Sequence, residues 1–324
     1  MIDNFTEIQH LIQSELNEVD AFIKKQLESE LAIIPEIGNH LIQSGGKRLR
    51  PILLLLSAKA CDYKGSQHIP LAGIIEFIHS ATLFHDDVVD AAEMRRGKLA
   101  ANQLWGNKFS VLLGDYIYSR VFQQLVKIGH LEVMAILADA TNQLTKGEIR
   151  QLDNSHNAKV TKETYFQVIE DKTAILFAAA THIGALIANT DINIQHSLRE
   201  YGLNLGMAFQ LMDDVLDYQG DAKEIGKAQG TDFAEGKFTL PLIYALEQSK
   251  PEEKKQLLAA IENKDIQEFP KIKLAIESLG GIEYTLNQAR GYIEQAIAHL
   301  KIVPDSKYKT GLEQLATFTI ARNH

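Results

Sequence analysis

Apolar residues recur at helical spacing almost from one end of the chain to the other. Ile8, Leu11, Ile12, Leu16 and Val19 trace one stripe near the start, and Tyr284, Leu286, Ala289, Ile293 and Ala296 trace another near the end. Steps of three and four residues place such side chains on one helix face, where they can be buried together. The alternation that marks a strand is nowhere sustained. Gly and Pro punctuate the pattern, among them Gly45-Gly46, Pro51, Pro70, Gly129, Gly220, Pro241 and Gly280-Gly281. Helices are therefore expected over 4–28, 31–43, 50–62, 70–92, 102–127, 131–153, 161–189, 194–219, 237–248, 252–262, 267–278, 281–301 and 305–322. The expected fold class is all-α. No linker rich in Gly, Ser or Pro divides the chain, so one domain over 1–324 is expected.

Thr173 to Thr190 holds no Asp, Glu, Lys or Arg, which approaches the length of a membrane span. Thr181, His182, Gly184 and Asn189 interrupt it, and its many alanines insert weakly into lipid. It reads as a helix buried on all sides. With 324 residues, 45% of them apolar, the chain can bury a large core, and 7 Pro with 21 Gly leave little room for a turn-rich sandwich. Lys and Arg number 33 against 42 Asp and Glu, a net charge of −9 that disfavours a basic nucleic-acid footprint. Cys61 is the single cysteine, so neither an intrachain disulfide nor a cysteine-rich zinc site can form. With no basic or long apolar leader near Met1, the expected location is the cytoplasm.

Candidate chemistry begins where an apolar run ends. Ile74 to Phe84 leads into His85-Asp86-Asp87-Val88-Val89-Asp90, and Leu203 to Met212 leads into Asp213-Asp214-Val215-Leu216-Asp217. Carboxylates four residues apart share a helix face and repel unless a cation lies between them. Two copies with one spacing point to a metal site, and two clusters of hard oxygen donors suit Mg²⁺ held together with phosphate. A bound phosphate needs cations as well. Arg95-Arg96 follow the first cluster, and Lys227 and Lys237 follow the second. Gly45-Gly46-Lys47-Arg48-Leu49-Arg50-Pro51 joins a flexible turn, basic side chains and a helix start, a plausible diphosphate cradle without P-loop spacing. Glu7-Ile8-Gln9-His10 and Glu76-Phe77-Ile78-His79 match the Glu-x-x-His step of di-iron bundles, a short pattern that arises cheaply by chance.

Together these motifs resemble the trans-isoprenyl diphosphate synthases, and within them the long-chain all-trans polyprenyl synthases. The likeness spans nearly the whole chain. It rests on Gly45 to Pro51, Ile78 to Asp90, Met94-Arg95-Arg96-Gly97, Leu113-Gly114-Asp115-Tyr116, Gly147-Glu148, Lys172-Thr173, Phe209 to Asp214, and Asp232 to Lys237. The resemblance implies an isoprenoid-synthase-type helical bundle around a deep central cavity, usually a homodimer. It implies a Mg²⁺-dependent prenyltransferase, with two or three ions, that condenses isopentenyl diphosphate repeatedly onto an allylic diphosphate such as farnesyl diphosphate. The implied product is a long all-trans polyprenyl diphosphate of octaprenyl length for a quinone side chain. Its greasiness implies peripheral membrane contact at release, without a transmembrane segment.

By position, Lys47, Arg50, His79 and Arg96 match residues that hold isopentenyl diphosphate. Arg95, Lys172, Thr173, Gln210, Lys227 and Lys237 match those around the allylic diphosphate, and all of these but Arg95 are also candidate catalytic residues. Asp86, Asp90 and Asp213 match direct metal ligands, supported by Asp87, Asp214 and Asp217. Ala81 and Thr82, about one turn before Asp86, are small where short-chain relatives typically carry an aromatic floor, which points to a long product. Met134, Leu137 or Phe177 remain as floors in their place. A shorter-chain synthase, a terpene cyclase and a non-catalytic partner subunit are the competing readings. The cyclase pattern differs at the second acidic motif, and a partner subunit usually lacks acidic residues that are intact here.

Overall fold

The computed structural model describes residues 4–43, 46–95, 97–155, 157, 159–220, 229–262 and 266–321. Its centre is a helix that the solvent hardly touches. In α10 (Ile175–Ile187) every side chain but His182 is buried, because Ala, Ile, Leu and Phe face outward on all sides. Around it pack α4 (Leu49–Ala60), α5 (His68–Val89), α8 (Leu131–Asp153) and α11 (Ile192–Gln219). No helix among the described residues is long and apolar enough to cross a membrane.

Two apolar clusters hold the bundle. The larger runs through α4, α5 and α10 and reaches the first helices α1 (Asn4–Leu11) and α2 (Gln13–Gln26). The smaller gathers the second half of α11 with later helices, including Leu242, Ile276 and Ala289. A helix of the lengths expected from the pattern recurs at most positions, with four differences. The first expected helix is broken at Ile12, whose φ of −130° and ψ of 25° leave the helical region while the apolar phase continues across it. The expected helix over 102–127 divides at Gly106, φ 80°, into α6 (Ala101–Trp105) and α7 (Asn107–Ile128). Strand is present after all: Met94–Arg95 and Lys98–Leu99 form an antiparallel two-residue ladder, β1 and β2, too short to show alternation. The expected helix over 161–189 contains a π turn at Glu170–Ala174 between α9 (Lys162–Ile169) and α10. The residues after the turn are apolar on every face of α10, so the extra residue shifts no visible stripe and the sequence conceals it.

Candidate active site

The ends of α5 and α11 face one cavity of about 1270 Å³, larger than a usual small-ligand pocket. Asp86 lines it from α5 and Asp213 from α11. Lys47, Arg50, His79 and Arg95 line it too, as do Lys172, Thr173 and Gln210. Residues that lie far apart in sequence thus share one wall. Arg96 and Lys227 lie outside the described residues.

The remaining acidic residues point elsewhere. Asp87 is 2% exposed; its carboxylate accepts from Arg95 Nε at 2.5 Å and from the Ala101 N–H at 3.1 Å. It therefore ties the β1-β2 ladder and α6 to the end of α5. Asp214 is equally buried and accepts from the Tyr165 hydroxyl at 2.5 Å and Gln210 Nε2 at 2.8 Å. Asp217 is fully buried and accepts from the Asp232 N–H at 3.2 Å, holding the start of the short helix Thr231–Ala234. Each motif thus divides by helical phase: its first carboxylate, Asp86 or Asp213, faces the cavity and its second braces the scaffold.

Burial, the largest influence on Asp86, pushes its carboxyl up to about 7; Glu148 and Asp90 add to this against Lys172 and Arg95. Burial also raises Asp214 well above the carboxylate range, with the charge of Asp232 adding and the bonds from Tyr165 and Gln210 opposing. Burial disfavours the charge on Lys237, yet Asp232, Glu235 and Asp90 together raise its pKa. Lys237 Nζ lies 3.3 Å from Asp90 Oδ2 and 2.5 Å from Glu235 Oε2, so it links the end of α5 to the segment after α11. It faces a side pocket of about 140 Å³ that shares Lys172, Thr173 and Gln210 with the main cavity.

Lys172 and Thr173 owe their placement to the π turn. An added Cβ at Gly147 of α8 would lie 2.8 Å from the Lys172 nitrogen, and one at Gly206 of α11 would lie 2.5 Å from Ala174 Cα. Two glycines thus let two helices close on the turn from both sides. Arg150 pairs with Asp171, and Glu148 holds Lys172 Nζ at 2.7 Å and 3.0 Å through its two oxygens. Thr173 Oγ1 donates to Gln210 Oε1 at 2.9 Å, which continues to Asp214. Gly147→Ala is expected to cost about 1 to 3 kcal/mol of stability by overpacking and to lower turnover, as thermal unfolding and steady-state rates would register. Unchanged values in both would mean that the close approach has no consequence.

Glu148 is quoted in the sequence motif but has no expected role there; an acid beside Gly on a cavity-lining helix was the available signal. Asp232 likewise opens a quoted motif without an expected role, whereas Tyr165 carried no signal, its partner Asp214 lying 49 positions away. Of the two expected chain-length residues, Thr82 lines the cavity and Ala81 does not: Ala81 is fully buried in the core. Helical phase turns neighbours about 100° apart, and here it turns Ala81 to the core side. Met134, Leu137 and Phe177 do not line the cavity either; Leu137 and Phe177 belong to the core. Tyr118 and Phe122 of α7, with Ala138, Thr141 and Thr145 of α8, form the deeper walls.

Residues 32–279 match the Polyprenyl synthetase family model. The chain belongs to this family. It is 40% identical to the octaprenyl diphosphate synthase of Escherichia coli (strain K12) over 321 residues, 99% of each chain. The polyprenyl synthase of Caulobacter crescentus CB15, solved with calcium and isoprenyl diphosphate, superposes with a TM-score of 0.95 at 39% identity, covering 99% of this chain and 98% of that one. A decaprenyl diphosphate synthase from Rhodobacter capsulatus superposes with a TM-score of 0.93 at 39% identity, covering 99% of both chains. The protein is a trans-prenyltransferase with the all-helical isoprenoid synthase fold.

Proposed function

We propose that this polyprenyl diphosphate synthase extends farnesyl diphosphate with isopentenyl diphosphate to a long all-trans product of octaprenyl length, for a quinone side chain. The observation that carries the reading is the single cavity lined by Asp86 and Asp213 together with Lys47, Arg50, Lys172 and Arg95. Its length adds support. On α8 it runs from Leu152 to Ala138, a span of about 21 Å at a rise of about 1.5 Å per residue.

The donor set fits Mg²⁺. Asp86 and Asp213 offer hard oxygens at the cavity, with Asp90 one turn beyond Asp86 and paired with Lys237, while among the described residues no three His, Cys, Asp or Glu side chains converge to hold an ion alone. That suits a cation which keeps waters and binds through one or two carboxylates plus substrate phosphates. Bound there, Mg²⁺ would supply positive charge against the diphosphate of the allylic substrate. The Caulobacter relative's calcium and isoprenyl diphosphate support a divalent cation and a diphosphate at this kind of site.

The protein's own groups do the rest. Arg95, Lys172 and Lys237, with Lys227, hold the allylic diphosphate and stabilise its charge as the C–O bond breaks. Oxygens of Thr173 and Gln210, fixed by their mutual bond, face the allylic cation. Lys47, Arg50 and His79, with Arg96, hold isopentenyl diphosphate so that its double bond attacks in line. The new C–C bond forms, and the proton lost from isopentenyl C2 passes to the departing diphosphate. We also read the chain as one domain, since α11 contributes to both apolar clusters. Exposed Leu112 and Val126 on α7, which do not line the cavity, support a homodimer through that face. Cytoplasm, with peripheral membrane contact at product release, is the location that fits these features.

The test is incubation with farnesyl diphosphate and labelled isopentenyl diphosphate, with Mg²⁺ and with chelator. A Mg²⁺-dependent ladder ending at one long species is expected. No incorporation by folded protein would favour a partner-subunit role, which the intact acidic motifs oppose. A proton should move as well. Because the metal-free Asp86 carboxyl is raised to about 7, its contribution to stability is present at low pH and lost as pH rises through that value. Binding of Mg²⁺ with an unreactive allylic thiolodiphosphate should therefore release, at about pH 6, more protons than the diphosphate itself sheds on meeting Mg²⁺ in free solution, and none at about pH 9. Calorimetry in buffers of different ionisation enthalpy reads this directly; a release at the lower pH no larger than that in free solution would contradict it.

A further inference from the structure

Glu76 has no part in the reaction as derived above. It lies in the apolar run of α5, one turn before His79, with 5% of its surface exposed. A carboxylate at that depth needs a cationic partner. Arg48 supplies it: Nη1 donates to Glu76 Oε1 at 2.6 Å, while Nη2 lies 3.4 Å from Asp20 Oδ1. The Arg48 side chain is 12% exposed, so the pair is largely shielded from water.

The backbone at Arg48 is unusual. Its φ of 50° and ψ of 34° are left-handed, and it is the residue from which α4 starts. A long L side chain occupies that region only when its surroundings hold it there. The ion pair to α5 is such a hold, because it fixes the side chain of the strained residue to a second helix. Lys47 and Arg50 flank the turn, and both line the cavity, whose wall Arg48 and Glu76 also reach. Lys47 Nζ lies 5.1 Å from the Phe318 ring centroid and Arg50 Cζ 4.7 Å from that of Phe177. Reversal of the chain at Arg48 is what brings cations on both sides of it to one wall.

We propose that Glu76, acting through Arg48, is a positioning residue for the isopentenyl diphosphate subsite. The buried pair pins the left-handed turn and so aims Lys47 and Arg50 at one diphosphate. This rests on the reading that Lys47 and Arg50 hold isopentenyl diphosphate. The opposite arrangement, in which Arg48 is itself a diphosphate ligand restrained by Glu76, predicts the opposite sign: freeing the guanidinium would tighten binding.

The experiment uses the full chain and four variants, Glu76→Gln, Arg48→Gly, Arg48→Lys and Lys47→Ala, with KM for each substrate, kcat and thermal unfolding. Glu76→Gln and Arg48→Gly should each raise KM for isopentenyl diphosphate by about tenfold and leave KM for farnesyl diphosphate within about twofold. Arg48→Lys, which keeps the charge, should recover part of the loss. Arg48→Gly relieves the backbone strain but leaves Glu76 without its cation, whereas Glu76→Gln leaves Arg48 facing Asp20, so the two disturb folding by different routes and a shared rise in KM is not a folding effect. If Lys47→Ala raises that KM while Glu76→Gln leaves it unchanged or lowers it, the positioning role is overturned whatever Arg48→Gly does, and the subsite reading stands. If Lys47→Ala has no effect, the subsite reading fails and the proposal with it. A fall in melting temperature with both Michaelis constants unchanged would also overturn it.

Discussion

Asp86→Asn and Asp213→Asn should each lower kcat by about a thousandfold or more while the protein keeps its melting temperature in the absence of metal. Each removes a cavity-facing oxygen ligand, whereas the carboxylates of Asp87, Asp214 and Asp217 hold the scaffold. Relief of burial around Asp86, whose carboxyl is raised to about 7, would if anything favour the metal-free fold. Asp87→Asn and Asp217→Asn should behave differently. Asp87 holds Arg95 and the Ala101 N–H, and Asp217 holds the Asp232 N–H, so their loss should appear first as reduced stability. Rates and unfolding curves for the four variants decide it. Destabilisation without loss of turnover at Asp86 or Asp213 would remove the metal assignment.

The second large effect is on product length. Thr82→Phe should shorten the product sharply and leave the first condensation intact, because Thr82 lines the cavity about one turn below Asp86. Ala138→Phe, on the deeper wall of α8, should stop the chain later and give an intermediate product. Ala81→Phe is a contrasting control: this fully buried position should overpack the core, at about 1 to 3 kcal/mol. Mass analysis of the products orders the three variants. Equal lengths from Thr82→Phe, Ala138→Phe and the parent chain would mean that the prenyl chain grows along another path.

The bundle and its site were legible in the sequence to different depths. Helix period alone yields most of the elements, since burial of one face requires it. The repeated acidic spacing names both motifs, and the likeness to the family assigns roles to them. What helical phase does within a motif was not visible: Asp86 and Asp87 are neighbours, yet one faces the cavity and the other the scaffold. The same holds for Thr82 and Ala81. The π turn escaped because α10 beyond it is apolar on every face and has no stripe to shift, while the close approach of Gly147 and Gly206 marks the turn in the structure. Long-range polar partners such as Tyr165 and Asp214, or Arg48 and Glu76, leave no periodic trace.

The most direct measurement is a crystal structure of the chain with Mg²⁺, an allylic thiolodiphosphate and isopentenyl diphosphate. Ions about 2.0 to 2.1 Å from oxygens of Asp86 and Asp213, with one diphosphate against Lys172 and Arg95 and the other against Lys47 and Arg50, is the expected result. Ions on Asp87, Asp214 or Asp217, or diphosphates bound outside this cavity, would contradict it.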